Sequence, residues 1–151
     1  MKKLKVGDIA PSIHSKDQNG QDFKLSDLKG KKVVLYFYPK DDTPGCTKEA
    51  CSLRDHYSEL QQKGYEVIGV SADSQEKHSK FIAKYELPFK LLADEDKKVI
   101  NDYNAWGLKK FMGKEYEGII RKTFLIDENG TIENIIENVK TKEHAQQILT
   151  E

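Results

Sequence analysis

The sequence predicts an α/β fold in which a mixed central sheet is flanked by helices and preceded by an N-terminal β-hairpin extension. Three observations predict it. Residues 33 to 38 are continuously apolar (Val33-Val34-Leu35-Tyr36-Phe37-Tyr38), as a strand buried on both faces is. Segments after that run carry apolar residues three or four positions apart, the period of one helical face. Two Asn-Gly dipeptides, Asn19-Gly20 and Asn129-Gly130, each separate strand-like segments, and Asn-Gly is a strong hairpin signal.

Residues 4 to 25 read as short strands and turns, with Asn19-Gly20 between Ile13 and Phe23 to Leu25. After the apolar strand, residues 46 to 63 place Ala50, Leu53, Tyr57 and Leu60 on one helical face, and Gly64 can stop the helix. Tyr65 to Ser71 is a second buried strand. Asp73 or Ser74 can cap the next helix, whose stripe is Phe81, Ile82 and Tyr85; Pro88 lies beyond its end. Leu91-Leu92 predicts a short strand and residues 95 to 104 a short helix. Residues 119 to 126 and 131 to 139 predict strands around Asn129-Gly130, and Thr141 can cap a last helix holding Ala145, Ile148 and Leu149. Strand, helix, strand, helix, then hairpin and helix implies a mixed sheet with covering helices, and a thioredoxin-like layout fits that order.

With 151 residues and no repeat, low-complexity stretch or linker, a single domain spanning 1–151 is expected. Hydrophobic residues make up 37% of the chain, enough for one core. Charged residues make up 33%, but the formal net charge is zero and the lysines are scattered, which argues against a nucleic-acid or anionic-membrane partner. Asp8 and Pro11 interrupt any apolar stretch a signal peptide would need, and the longest apolar run is far too short to span a bilayer. A cytoplasmic location is expected. No compact metal spacing links the four histidines, His14, His56, His78 and His144, and no phosphate loop or nucleotide fingerprint occurs, so neither metal nor cofactor is implied.

The chemistry-bearing feature is the segment Pro39-Lys40-Asp41-Asp42-Thr43-Pro44-Gly45-Cys46, followed five positions later by Cys51. These are the only cysteines, and two cysteines in a cytosolic chain are more often redox or catalytic than structural. Cys46 falls where an apolar strand gives way to a helix. A helix start offers unpaired N–H groups and a positive dipole end, both of which favour the thiolate, the nucleophilic form. Arg121 is one of only two arginines and stands in an apolar segment predicted as a strand. It is either a buried cation with an anionic partner or an edge-strand surface residue. Arg54, the other, reads as a surface residue more readily than as a support for the site.

Pro39, Thr43 and Cys46 match the P-x-x-x-T-x-x-C signature of peroxiredoxins, and with Cys51 the chain resembles the bacterioferritin-comigratory, or Q-type, peroxiredoxins. Lys24-Leu25-Ser26-Asp27-Leu28-Lys29-Gly30 and Arg121-Lys122-Thr123-Phe124-Leu125-Ile126-Asp127 agree with that family, and the resemblance runs from about Val6 to about Leu149. It implies a peroxidase in which Cys46 attacks a peroxide and becomes a sulfenic acid. Cys51 would resolve this to a Cys46–Cys51 disulfide, and thioredoxin would reduce it. It also implies that Arg121 holds thiolate and peroxide, that Thr43 orients the peroxide oxygen, and that Pro39 walls the thiol pocket. Each has a plainer alternative: Thr43 as helix cap, Pro39 as strand terminator, Cys51 as a small buried helix residue.

In an unbroken helix, α-carbons five apart lie ~8.7 Å from each other and ~140° around the axis, whereas a disulfide needs less than ~7 Å. If Cys51 resolves Cys46, the helix start must unwind in each cycle. A monomer or weak dimer is expected. The aromatic segment Tyr103 to Tyr116 could line a pocket for an organic peroxide, join the core, or form a partner surface. The rival functions are a thioredoxin-like disulfide reductase, disfavoured because four residues separate the cysteines rather than two, and a non-enzymatic redox interaction domain.

Overall fold

The computed structural model describes residues 3–150. In chain order the elements are β1 (His14–Lys16), β2 (Asp22–Lys24), β3 (Lys32–Phe37), α1 (Pro44–Asp55), α2 (Tyr57–Gln62), β4 (Tyr65–Ser71), α3 (Gln75–Tyr85), β5 (Lys90–Ala93), α4 (Lys98–Asp102), β6 (Trp106–Phe111), β7 (Lys114–Ile119), β8 (Lys122–Ile126), β9 (Ile132–Ile136) and α5 (His144–Leu149). The central sheet has the order β5-β4-β3-β8-β9. Strands β3, β4 and β5 run parallel, while β8 pairs antiparallel with both β3 and β9. β1 and β2 form the N-terminal hairpin. This is the thioredoxin-like mixed sheet expected from the element order.

β3 lies in the middle, paired on both edges, which is why its sequence does not alternate. Val33, Leu35 and Phe37 point into one core with Ile68, Val70, Phe124, Tyr103 and Ile100. Val34, Tyr36 and Tyr38 point into the other, with Ala50 and Leu53 of α1, Phe81 of α3 and Ile148 of α5. Cys46 belongs to this second core. The sheet therefore delivers the end of β3 directly beneath the start of α1.

Several expected boundaries shift, each for a local reason. The helix expected over 46 to 63 is two, broken at His56, which has φ −114° and ψ 16°. The His56 ring Nδ1 lies 3.0 Å from the Ser52 carbonyl, an oxygen that also accepts from His56 N–H at 3.3 Å. The helix expected over 95 to 104 contracts to α4, because Asp94 caps it by accepting from Val99 and Ile100 N–H. The strand expected over 119 to 126 is two strands: Ile119 ends β7, and Ile120 and Arg121 form the connection before β8. Arg121 is thus not inside a strand. The strand expected over 131 to 139 is β9, Ile132–Ile136. Thr141 opens a short 3-10 turn instead of capping α5. Ser74 does cap α3, its hydroxyl accepting from Lys77 N–H at 3.2 Å.

The aromatic segment divides. Tyr103 is fully buried against Phe37 and Phe124, whereas residues 106 to 119 form a separate hairpin, β6–β7. Its two-residue turn is Met112-Gly113, both with positive φ, 53° and 80°. Leu108, Met112 and Tyr116 are exposed. Among the described residues, no helix is long and apolar enough to cross a membrane.

Candidate active site

The segment leading to α1 is pinned from below. Tyr38 OH donates to Asp41 Oδ1 at 2.6 Å, and Asp41 Oδ2 lies 2.6 Å from His78 Nδ1 of α3. Asp41 N–H donates to Asp73 Oδ2 at 2.8 Å, an oxygen that also accepts from Ser71 Oγ. The His78 Nε2 faces the Leu92 carbonyl at 2.8 Å. Asp42, at φ 58°, binds Lys84 Nζ and Tyr85 OH, which hold its carboxyl below the ordinary carboxylate value. Asp41, Asp73 and His78 are close enough together to suggest metal ligands, but these internal bonds occupy their ligating atoms, so the cluster acts as an anchor.

Pro44 then begins α1 at the position where its missing N–H costs nothing. Cys46 follows in the first turn, 2% exposed. Arg121, delivered by the β7–β8 connection, donates from Nη2 to Cys46 Sγ at 3.3 Å and from Nη1 to Glu49 Oε1 at 2.7 Å. The guanidinium fork is thereby fixed by a carboxylate and aimed at sulfur. Gly45 makes room for it: a side chain there would place its Cβ 3.3 Å from Arg121 Nη2. Lys109 of β6 adds a second cation near the site. Its Nζ donates to the Ile119 carbonyl at 2.9 Å, and burial and Arg121 hold its pKa down.

Glu49 is fully buried, and burial pushes its carboxyl up to about 7 against the pull of Arg121. Its Oε2 has no hydrogen-bond partner and lies 3.5 Å from His144 Nε2 of α5. His144 is also fully buried, and burial brings it down to about 4. Glu49 and Lys109 were not singled out from the sequence, and Gly45 and His144 were given no part in the site. Glu49 carried a signal, since it stands one helical turn after Cys46, on the same side of α1.

The remaining expected site residues are placed as follows. Thr43 is the N-cap residue of α1, yet its hydroxyl makes no cap bond and donates instead to the Lys40 carbonyl at 3.0 Å. Pro39 is half-buried just past the end of β3. Cys51 lies within the same unbroken α1, half-buried, and both cysteines are free thiols. Arg54 ties α1 to α3 by donating to the Tyr85 carbonyl at 2.8 Å, and it also pairs with Asp55. It does not join the Cys46 cluster.

A buried cysteine at a helix start, bonded by an arginine on a thioredoxin-like sheet, is the arrangement of a thiol-dependent redox protein. The comparisons with known proteins narrow the class. The AhpC/TSA family profile matches residues 6–135. The peroxiredoxin Bcp of Escherichia coli K12 is 48% identical over 99% of this chain and 96% of its own. That of Bacillus subtilis is 49% identical over 97% and 93%. Among solved structures, a mutant PrxQ from Xylella fastidiosa superposes with TM-score 0.91 at 30% identity over 99% of this chain and 96% of its own. The peroxidoxin BcpB of Mycobacterium tuberculosis gives 0.86 at 32% over 97% and 95%. The chain belongs to the AhpC/TSA family and, within it, to the Bcp or Q-type peroxiredoxins, which makes it a thiol peroxidase.

Proposed function

We propose that the chain reduces hydrogen peroxide and organic hydroperoxides through Cys46, with Cys51 as the resolving thiol and thioredoxin as the reductant. The observation that carries this reading is the Arg121 fork, one arm on Glu49 and the other 3.3 Å from Cys46 Sγ. It supports a thiolate before reaction and the developing oxyanion during it.

In the cycle, the Cys46 thiolate attacks the terminal oxygen of ROOH. A sulfur–oxygen bond forms as the O–O bond breaks, and the leaving oxygen takes a proton and departs as alcohol or water. Sulfur is oxidised by two electrons and the peroxide is reduced by two. Thr43 orients the peroxide and Pro39 closes the side of the pocket. The Cys51 thiolate then attacks the sulfenic sulfur, displacing hydroxide and forming the Cys46–Cys51 disulfide. An external dithiol completes the cycle by exchange. Peroxide reduction by an Xanthomonas campestris relative, whose structures bear on alkyl peroxide reduction, supports the substrate class. A single-domain monomer or weak dimer in the cytoplasm suits a resolving thiol in the same chain.

The test is peroxide consumption in the presence of thioredoxin and its reductase, with tert-butyl hydroperoxide as the organic substrate. Turnover is expected with the wild type and none with Cys46→Ser, whose hydroxyl cannot ionise near neutral pH. Peroxide-treated protein should show Cys46 linked to Cys51 within one chain by mass spectrometry. Turnover by Cys46→Ser, or only disulfide-linked dimers on non-reducing gels, contradicts the scheme.

A further inference from the structure

Behind the Arg121 fork lies a second polar layer that the cycle above does not use. The Gln147 side chain is orientated by two backbone partners: its Nε2 donates to the Asn138 carbonyl at 2.9 Å, and its Oε1 accepts from Lys140 N–H at 2.9 Å. The same Oε1 faces His144 Nδ1 at 2.9 Å. An amide oxygen can only accept, so Nδ1 carries the hydrogen. The Nε2 of a neutral His144 is therefore a lone pair, and burial keeps the ring neutral at pH 7. That lone pair lies 2.8 Å from the Thr123 hydroxyl, which can donate to it, and 3.5 Å from Glu49 Oε2.

An ionised Glu49 would set a carboxylate oxygen with no donor against that lone pair in a dry site. A protonated Glu49 would instead turn an O–H toward it. The two states differ in what they leave to Arg121. With Glu49 ionised, the guanidinium is shared between carboxylate and Cys46; with Glu49 neutral, its full charge faces the sulfur. We propose that His144 is a positioning residue for the peroxidase reaction, holding Glu49 in a proton-linked balance that sets how much of the Arg121 charge reaches Cys46. This rests on the peroxidase reading above.

Titratable and charged groups face Glu49 from several elements. Arg121 approaches from the β7–β8 connection, His144 from α5, Cys46 from its own helix and Tyr36 from β3. Thr123 of β8 is uncharged and reaches the carboxylate only through His144. The Tyr36 hydroxyl is buried, and burial and Glu49 push its pKa upward, so it stays neutral while Glu49 titrates. Arg121 keeps its charge throughout. Lys109 of β6 faces Arg121 and Cys46, and burial and Arg121 hold its pKa down; Glu49 is the carboxylate of this cluster whose ionisation changes the field at Cys46.

The experiment follows the Glu49 side-chain carboxyl by carbon-13 NMR in glutamate-labelled protein, the signal being assigned by its loss in Glu49→Gln. The wild-type midpoint is expected near neutrality. His144→Phe removes the lone pair that opposes the carboxylate and accepts from the acid, so the midpoint should move down by a pH unit or more. Thr123→Val frees His144 Nε2 for the acid, so the midpoint should move up, which keeps the test open if His144→Phe folds poorly. The rate of Cys46 reaction with hydrogen peroxide, measured against pH, should show an inflection at the carboxyl midpoint that Glu49→Gln abolishes. An unmoved midpoint in the folded variants, or a wild-type rate profile without that inflection, overturns the proposal. The NMR titration needs no turnover, so its failure is distinct from a failure of the peroxidase reading.

Discussion

The start of α1 packs on one face of the sheet, while strand β4 reaches that core through Val67 and the opposite core through Ile68 and Val70, and the two are built to behave differently. Residues 44 to 51 bury only Cys46, Glu49 and Ala50: a thiol, a carboxylate and a methyl group. β4 buries Val67, Ile68 and Val70 to 1% exposure or less and is hydrogen-bonded along both edges, to β3 and β5. Little apolar area leaves the core when the first turns of α1 open, whereas opening β4 would expose branched side chains and two ladders. The loop before Cys46 sides with β4, since Asp41 and Asp42 fasten it to α3 and to Asp73. The lesson is that the reactive segment hangs from a fixed pivot and is itself held largely by polar contacts.

The contrast can be broken from either side. Arg121→Ala removes the polar tie that closes the α1 start without touching β4. We expect a loss of ~10²–10³-fold in the rate of peroxide reduction, with the fold retained. A rate within a few-fold of wild type would take Arg121 out of the site. Ile68→Ala does the reverse. It should cost ~2–5 kcal/mol of stability, read from denaturant unfolding, and leave the folded enzyme's rate near wild type. A third substitution sharpens the comparison: Ala50→Gly should cost only ~1 kcal/mol and speed disulfide formation after a peroxide pulse. Slower disulfide formation in that variant would mean that helix strength does not limit resolution.

The smallest effect concerns pH. The Glu49 carboxyl is raised from 4.5 to about 7, so its contribution to stability is present below pH 4.5 and is lost as pH rises through 7. His144 is lowered from 6.5 to about 4, so its contribution is present above pH 6.5 and is lost as pH falls through 4. Between roughly 4.5 and 6.5 the two slopes oppose, and this pair should leave wild-type stability nearly level there. Glu49→Gln leaves only the His144 slope, so its unfolding free energy should rise with pH across 4 to 6.5. Parallel curves for the two proteins would contradict this.

Much of the frame was legible because it rests on patterns local in sequence. The unbroken apolar run of β3 announces a strand with neighbours on both sides, and Asn19-Gly20 and Asn129-Gly130 announce their hairpins. The β6–β7 hairpin stayed hidden because its turn is Met112-Gly113, with a methionine at positive φ where asparagine or aspartate gives the usual signal. The break between α1 and α2 stayed hidden because apolar spacing continues through His56, whose backbone leaves the helical region at φ −114° and ψ 16°. Arg121 was found as a rare arginine in apolar surroundings, and it does reach Cys46. Its carboxylate partner was not found, because Glu49 is one acidic residue among 25 and only folding buries it. His144 and Gln147 lie about a hundred residues away in sequence, and no spacing rule links them to the thiol.

The central claim is that the α1 start unwinds on oxidation around a frame that does not. Cys46 and Cys51 occupy one continuous helix in the reduced protein, and helix geometry holds α-carbons five apart ~8.7 Å from each other, beyond the ~7 Å a disulfide spans. Amide hydrogen exchange of the reduced protein and of the Cys46–Cys51 disulfide form tests this directly. The account predicts that protection across residues 43 to 53 falls sharply on oxidation while residues 65 to 71 stay protected. Equal protection of residues 43 to 53 in the two redox states would contradict it.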